Sequence, residues 1–154
     1  MGKSPEIVTT LGELVEAEAA LKKVTAVRFD KEGGATLRYH VTKLARLVAQ
    51  ETKHFWDDRN GLIEQYGMER KTTGAERART GQDTIKEVAR GTAVWKLFEA
   101  ALKELTAVTV TIPWGPLTAA QMEPYPDVTG ADMLALGPLF ELDPATEGEA
   151  TCAA

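Results

Sequence analysis

Glu51, His54 and Asp58 are the residues of this chain best spaced for chemistry. Separations of three and four residues place two carboxylates and an imidazole on one face of a helix. Glu-x-x-His is also the spacing used by carboxylate-bridged di-iron bundles, but those sites draw a second such motif and further glutamates from facing helices. The only other histidine, His40, has Leu37 three positions before it. The trio therefore reads as a solvated charged face, and no metal or cofactor is expected.

Nucleophilic chemistry finds no better footing. The single cysteine, Cys152, has no base beside it, and the single serine, Ser4, has no histidine in any recognised arrangement. The glycine pairs match neither a P-loop nor a dinucleotide fingerprint. What remains are residues suited to contact. Trp56, Trp95 and Trp114 read as core or interface anchors. Phe55 and Trp56 are adjacent, and neighbouring helical residues cannot face the same way, so one of them turns to a partner or a second layer. Extending the apolar stepping from Val48 lands on Glu51, Phe55, Asp58 and Leu62, so two carboxylates interrupt the stripe. Either they meet a cation from another helix, fixing register at a cost in stability, or this half of the helix leaves the core for solvent. Arg59 is the cation nearest at hand. Phe55, Trp56, Asp58, Arg59 and Trp114 are the expected partner contacts, and no catalytic residue is expected.

These residues need elements to position them. Thr36 to Tyr66 contains no proline and carries Leu37, Val41, Leu44, Val48, Phe55, Leu62 and Tyr66 at helical spacing. Such a helix would be about 46 Å long, more than a small domain covers everywhere. Gly67 fits a left-handed stop. Before it, Ile7-Val8-Thr9 reads as a short strand, Thr10-Leu11-Gly12-Glu13 as a capping box, and 11–23 as a helix. Residues 24–29 read as an extended link, and Asp30 to Gly34 as the turn into the long helix, unless that helix begins earlier and kinks at the glycine pair. From Met68 to Gln82 apolar periodicity lapses, giving an exposed excursion with the character of a β-ribbon. Its four basic residues face two acids and no aromatic for stacking, so nucleic acid is not an expected partner. A helix over 92–105 presents Val94, Trp95, Phe98, Ala101, Leu102 and Leu105 on one side. Val108 to Ile112 alternates with period two and is the best strand. Proline turns follow at Pro113–Pro116 and Pro124–Asp127, and Thr129-Gly130-Ala131-Asp132 caps a short last helix.

Composition sets the bounds. At 154 residues, with 44% hydrophobic and 27% charged residues, an ordinary soluble domain with a real core is expected. No apolar run nears the roughly 20 residues that span a bilayer, and the start lacks a signal-peptide core, so an intracellular origin is expected. The net charge of −5 is unevenly spread: from Glu104 onward there are eight acids and no lysine or arginine. That is a solvated acidic end, or one that meets basic patches on neighbouring subunits.

The Leu11-x-x-Leu14 helix, the long helix ending Arg59-Asn60-Gly61-Leu62-Ile63-Glu64-Gln65-Tyr66-Gly67, and the charged excursion follow one another in order. After them come the helix ending Glu104-Leu105, the strand Val108-Thr109-Val110 and the closing Asp132-Met133-Leu134-Ala135-Leu136. Over residues 10–140 this order resembles a family of small proteins of unknown function from long-tailed bacteriophages. The proline turns depart from that pattern, since Trp114-Gly115-Pro116 is this chain's own. The resemblance implies a phage origin and supplies no catalytic residue. The resulting expectation is an α+β fold: one long helix, two or three shorter helices and a small β-sheet around 108–112. It forms a single domain over 1–142, with a disordered acidic tail at 143–154. Functionally, a non-enzymatic virion or assembly component of the tail or neck is expected, homo-oligomeric or bound to other phage proteins, in the host cytoplasm or the virion. The alternative is a phage-encoded inhibitor that docks on a host enzyme, its acidic end imitating nucleic acid.

Overall fold

A computed structural model describes residues 4–141. The acidic tail expected over 143–154 lies outside the described residues. The chain divides into two compact units, Met1–Thr52 with Val108–Ala154, and Lys53–Ala107. One helix contributes to both.

The fold is α+β. The first unit opens with β1 (Ile7–Thr10), which runs directly into α1 (Leu11–Thr25). The junction is set by a capping box: the Thr10 hydroxyl accepts from the Glu13 N–H at 3.3 Å, and the Glu13 carboxylate accepts from the Thr10 N–H at 3.4 Å. The Thr9 hydroxyl donates to the same carboxylate, and this bond, followed by that from the Thr10 backbone, holds the Glu13 carboxyl below its ordinary range. Helix α1 runs two residues beyond the expected stop, so Val24 is a buried helical residue and does not begin an extended link. Its three- and four-residue spacing buries Leu11, Leu14, Ala17, Leu21 and Val24.

Helix α2 (Gly34–Tyr66) has 33 residues and begins two residues before the expected start. In the first unit it buries Leu37, Val41, Leu44 and Val48 against the α1 side chains, Ile7 of β1, and Ile112 of β4 (Thr109–Ile112). β1 and β4 pair antiparallel, with Ile7 opposite Ile112 and Thr9 opposite Val110. The unit closes with β5 (Leu117–Thr118), α5 (Ala119–Met122), α6 (Gly130–Ala135), a 3-10 turn at Gly137–Leu139, and β6 (Phe140–Glu141), which lies parallel to β5. Leu117, Met122, Leu136 and Leu139 complete the core. A salt bridge of 2.9 Å joins Lys23 at the end of α1 to Asp132 at the start of α6.

The second unit holds the rest of α2, an antiparallel ribbon of β2 (Met68–Lys71) and β3 (Thr84–Glu87), a seven-residue helix α3 (Gly74–Thr80) at the ribbon's tip, and α4 (Ala93–Thr106). The excursion is thus a ribbon with a helix at its tip, ordered by its own charges. Arg70 on β2 donates to both Glu76 carboxylate oxygens, at 3.0 and 2.9 Å, and its Nε donates to Glu87 on β3. Glu76 also closes a capping box with Thr73. Lys86 on β3 reaches Glu64 on α2 at 2.6 Å.

Hydrogen bonds from Arg70, then from Thr73, push the Glu76 carboxyl down to about 2. A depressed folded-state pKa gives a contribution that is whole above the unfolded carboxylate's range, near pH 4.5, and is lost as pH falls through about 2. The Glu76 side-chain carbon shift is therefore expected to titrate with a midpoint near 2, and Arg70→Gln to return that midpoint toward 4.5. An ordinary midpoint in the unsubstituted chain would show that the Arg70–Glu76 pair does not order the ribbon in solution.

Gly67 does stop α2, but not through a left-handed backbone. The described glycines with positive φ are Gly33, Gly81, Gly91 and Gly137. Gly67 is required for space: a Cβ there would collide with the Ile63 carbonyl oxygen and sit 3.4 Å from the Glu87 nitrogen. Its N–H donates to that same Ile63 carbonyl at 2.7 Å.

Candidate protein-contact surfaces

On α2 the apolar stripe does not pass through Glu51. It passes through Thr52, which is 2% exposed and whose hydroxyl donates to the Glu18 carboxylate of α1 and contacts the Ala49 carbonyl. Glu51 is half-buried beside it, while His54 and Asp58 are exposed. Neither Glu51 nor Asp58 forms an ion pair among the described residues, and no three histidine, cysteine or acidic side chains there could jointly hold a metal ion. From Lys53 onward the helix belongs to the second unit, where Phe55 is buried and Asp58 is exposed.

Phe55 and Trp56 divide as adjacent helical residues must. Phe55 is buried, and Trp56 is 43% exposed. Their rings meet edge to face, with centroids 5.1 Å apart and planes at 79°. Arg59, three residues on, places its guanidinium 5.6 Å from the Trp56 ring centroid. Phe55, Trp56 and Arg59 thus form one cluster: a buried anchor, a half-open indole and a cation on its face.

Trp114 belongs to the first unit and to a different cluster. It follows β4, where its N–H turns back to the Ile112 carbonyl at 2.8 Å. Its indole Nε1 donates to the His40 carbonyl on α2 at 3.1 Å. The ring meets Tyr39 edge-on at 6.1 Å, lies 5.4 Å from the His40 ring, and carries the Lys43 ammonium at 6.0 Å. His40 Nε2 lies 2.9 Å from the Gly115 carbonyl, which can only accept, so Nε2 carries a proton and donates. These bonds fasten the turn after β4 onto α2 and make Trp114 a fixed wall. A cleft of about 440 Å³ lies beside it, lined by Ser4, Pro5, His40, Pro113, Trp114 and Gly115.

Helix α4 is the surface that sequence reasoning underrated. Thr92 caps it, accepting from the Trp95 N–H at 3.1 Å. The apolar side read from the spacing is present, yet of its members only Phe98 is buried. Trp95, Ala101, Leu102 and Leu105 are half-buried. Val94 is 42% exposed and Leu97, which the spacing argument left out, is 56% exposed. Arg90 stacks on Trp95 at 5.5 Å. Throughout Lys53–Ala107 the buried side chains are Phe55, Val88 and Phe98, a small core for 55 residues. The available signal was the width of the stripe, which exceeds what three short elements can cover.

Among the described residues no helix is long and apolar enough to cross a membrane. Comparison with protein-family models, with curated proteins and with solved structures gives no match.

Proposed function

We propose that this chain is a non-enzymatic protein that acts by protein–protein association, as a virion or assembly component of a bacteriophage tail or neck. The observation that carries the association is the half-open apolar face of α4, with Val94 and Leu97 exposed over a unit whose core has three buried side chains. Side chains of this type gain about 1.5–3 kcal/mol each when fully buried, so a partner covering them would stabilise the unit as well as bind it. Trp56 with Arg59 on its face adds the aromatic and arginine content typical of binding hot spots. The phage setting rests on the order of elements from the Leu11 helix to the closing Asp132–Leu136 segment.

The test is incorporation. The chain is expected in purified particles, or in tail or neck intermediates, at fixed copy number. Leu97→Glu is expected to lose incorporation while keeping its circular dichroism, because Leu97 lies on the open side of α4. Absence of the unsubstituted chain from particles and intermediates alike would overturn the assembly reading.

A further inference from the structure

Among the described residues the β1–β4 ladder has two strands, and no third strand pairs with the outer edge of β4. Leu11 N–H donates to the Val108 carbonyl at 2.8 Å, in the same register that sets Thr9 opposite Val110 and Ile7 opposite Ile112. In an antiparallel ladder every second residue bonds to the neighbouring strand. Val108, Val110 and Ile112 therefore direct their backbone groups toward β1, while Thr109 and Thr111 direct theirs outward. Both threonines are exposed, and among the described residues no turn or loop backbone bond engages either. The outer edge of β1 is different, because the Glu13 carboxylate already accepts from the Thr10 N–H there.

Natural edge strands are usually blunted by charge, proline or a bulge. β4 has none of these within it. It lies inside the longest uncharged stretch of the chain, between Glu104 and Glu123, in a protein that is 27% charged. Proline enters only after the strand, at Pro113.

We infer that the open edge of β4 pairs antiparallel with β4 of a second copy, about a two-fold axis at Val110, to make a continuous four-stranded sheet. The edge complements itself. The two-fold sets Thr109 opposite Thr111 of the other copy, so each outward N–H meets an outward carbonyl and the two threonine pairs form four backbone bonds. Val108 faces Ile112, and no charged side chain of either strand meets another. Pro113, which has no N–H, falls opposite Ala107 and ends the ladder. The two-fold uses the β4 edge of both copies, so this pairing closes at two.

Each copy carries a net charge of −5, so pairing through a neutral edge works against long-range repulsion and strengthens as salt rises. Association of acidic ends with basic patches would weaken instead. Light scattering on the full chain is expected to give twice the 16.7 kDa of one chain, with the dimer favoured by added salt. Two double variants test the register: Thr109→Lys with Thr111→Lys, and Thr109→Glu with Thr111→Glu. Each places like charges directly opposite and is expected to run as a single chain, while an equimolar mixture of the two recovers the dimer. Without any substitution, the Thr109 and Thr111 amides are expected to exchange slowly and more slowly at higher protein concentration. A single-chain mass at every concentration and salt, a dimer kept by each variant alone, or fast, concentration-independent exchange at those amides would overturn the pairing. If Leu97→Glu dissolves self-association while the threonine variants keep it, the edge fails and association through α4 stands.

Discussion

Leu44→Ala is expected to destabilise the first unit by about 2–5 kcal/mol, the range for deleting a fully buried leucine from a core that relaxes only in part. Leu44 is 0% exposed, midway along the α2 stripe of Leu37, Val41 and Val48, in the core shared with α1, Ile7 and Ile112. The cost is the lost transfer energy plus that of the cavity left behind. Urea denaturation followed by circular dichroism reads the change as a shift in midpoint. Leu134→Ala is the matched control: Leu134 is 83% exposed, and the same chemical change there is expected to stay within about 0.5 kcal/mol. Equal losses at the two positions would place Leu44 outside the core described above.

Phe98→Ala is expected to have its effect in a different place. Phe98 is 5% exposed, the sole buried residue of α4, and packs against Trp95 with ring centroids 5.6 Å apart. Removing a buried phenylalanine costs about 3–5 kcal/mol, and a unit with three buried side chains has little else to hold it. Amide hydrogen exchange is the suitable measurement, because it reports stability region by region. Protection is expected to fall across residues 53–107 and to persist in α1 and in α2 up to Thr52. Loss spread evenly over the whole chain would instead mean that the two units unfold as one.

How much of this could be read from residues alone depends on the distance over which each feature is determined. Helix starts were legible where a threonine and an acid lie three apart, as at Thr10 with Glu13 and Thr129 with Asp132, because a capping box is local chemistry. The same signal at Thr73 with Glu76, and its amide form at Thr118 with Gln121, passed unread, and with it α3 and α5, since neither short helix carries an apolar stripe to draw attention. Strand β4 was legible from alternation, and α2 from spacing. The role of Thr52 was not, because its partner Glu18 lies 34 residues away and only folding brings the two together. The end of the first unit's core inside α2 was equally hidden, since the helix continues without a break in its hydrogen bonds where the core ceases. The site residues divided for the same reason. Phe55, Trp56 and Arg59 are neighbours on one helix and stayed together, whereas the surroundings of Trp114 come from Tyr39, His40 and Lys43, over seventy positions earlier.

The pairing of β1 with β4 has a consequence for how the chain is made. These strands are separated in sequence by α1, all of α2 and the whole of Lys53–Ala107, so the second unit is an insertion within the first. A ribosome releases β1, then every residue of the second unit, and only afterwards the strand that β1 requires. Ladder formation must therefore wait, and it carries the entropy of closing a long loop unless the intervening residues have already condensed. The insertion is thus expected to fold first during synthesis and to shorten the effective loop for the unit that surrounds it.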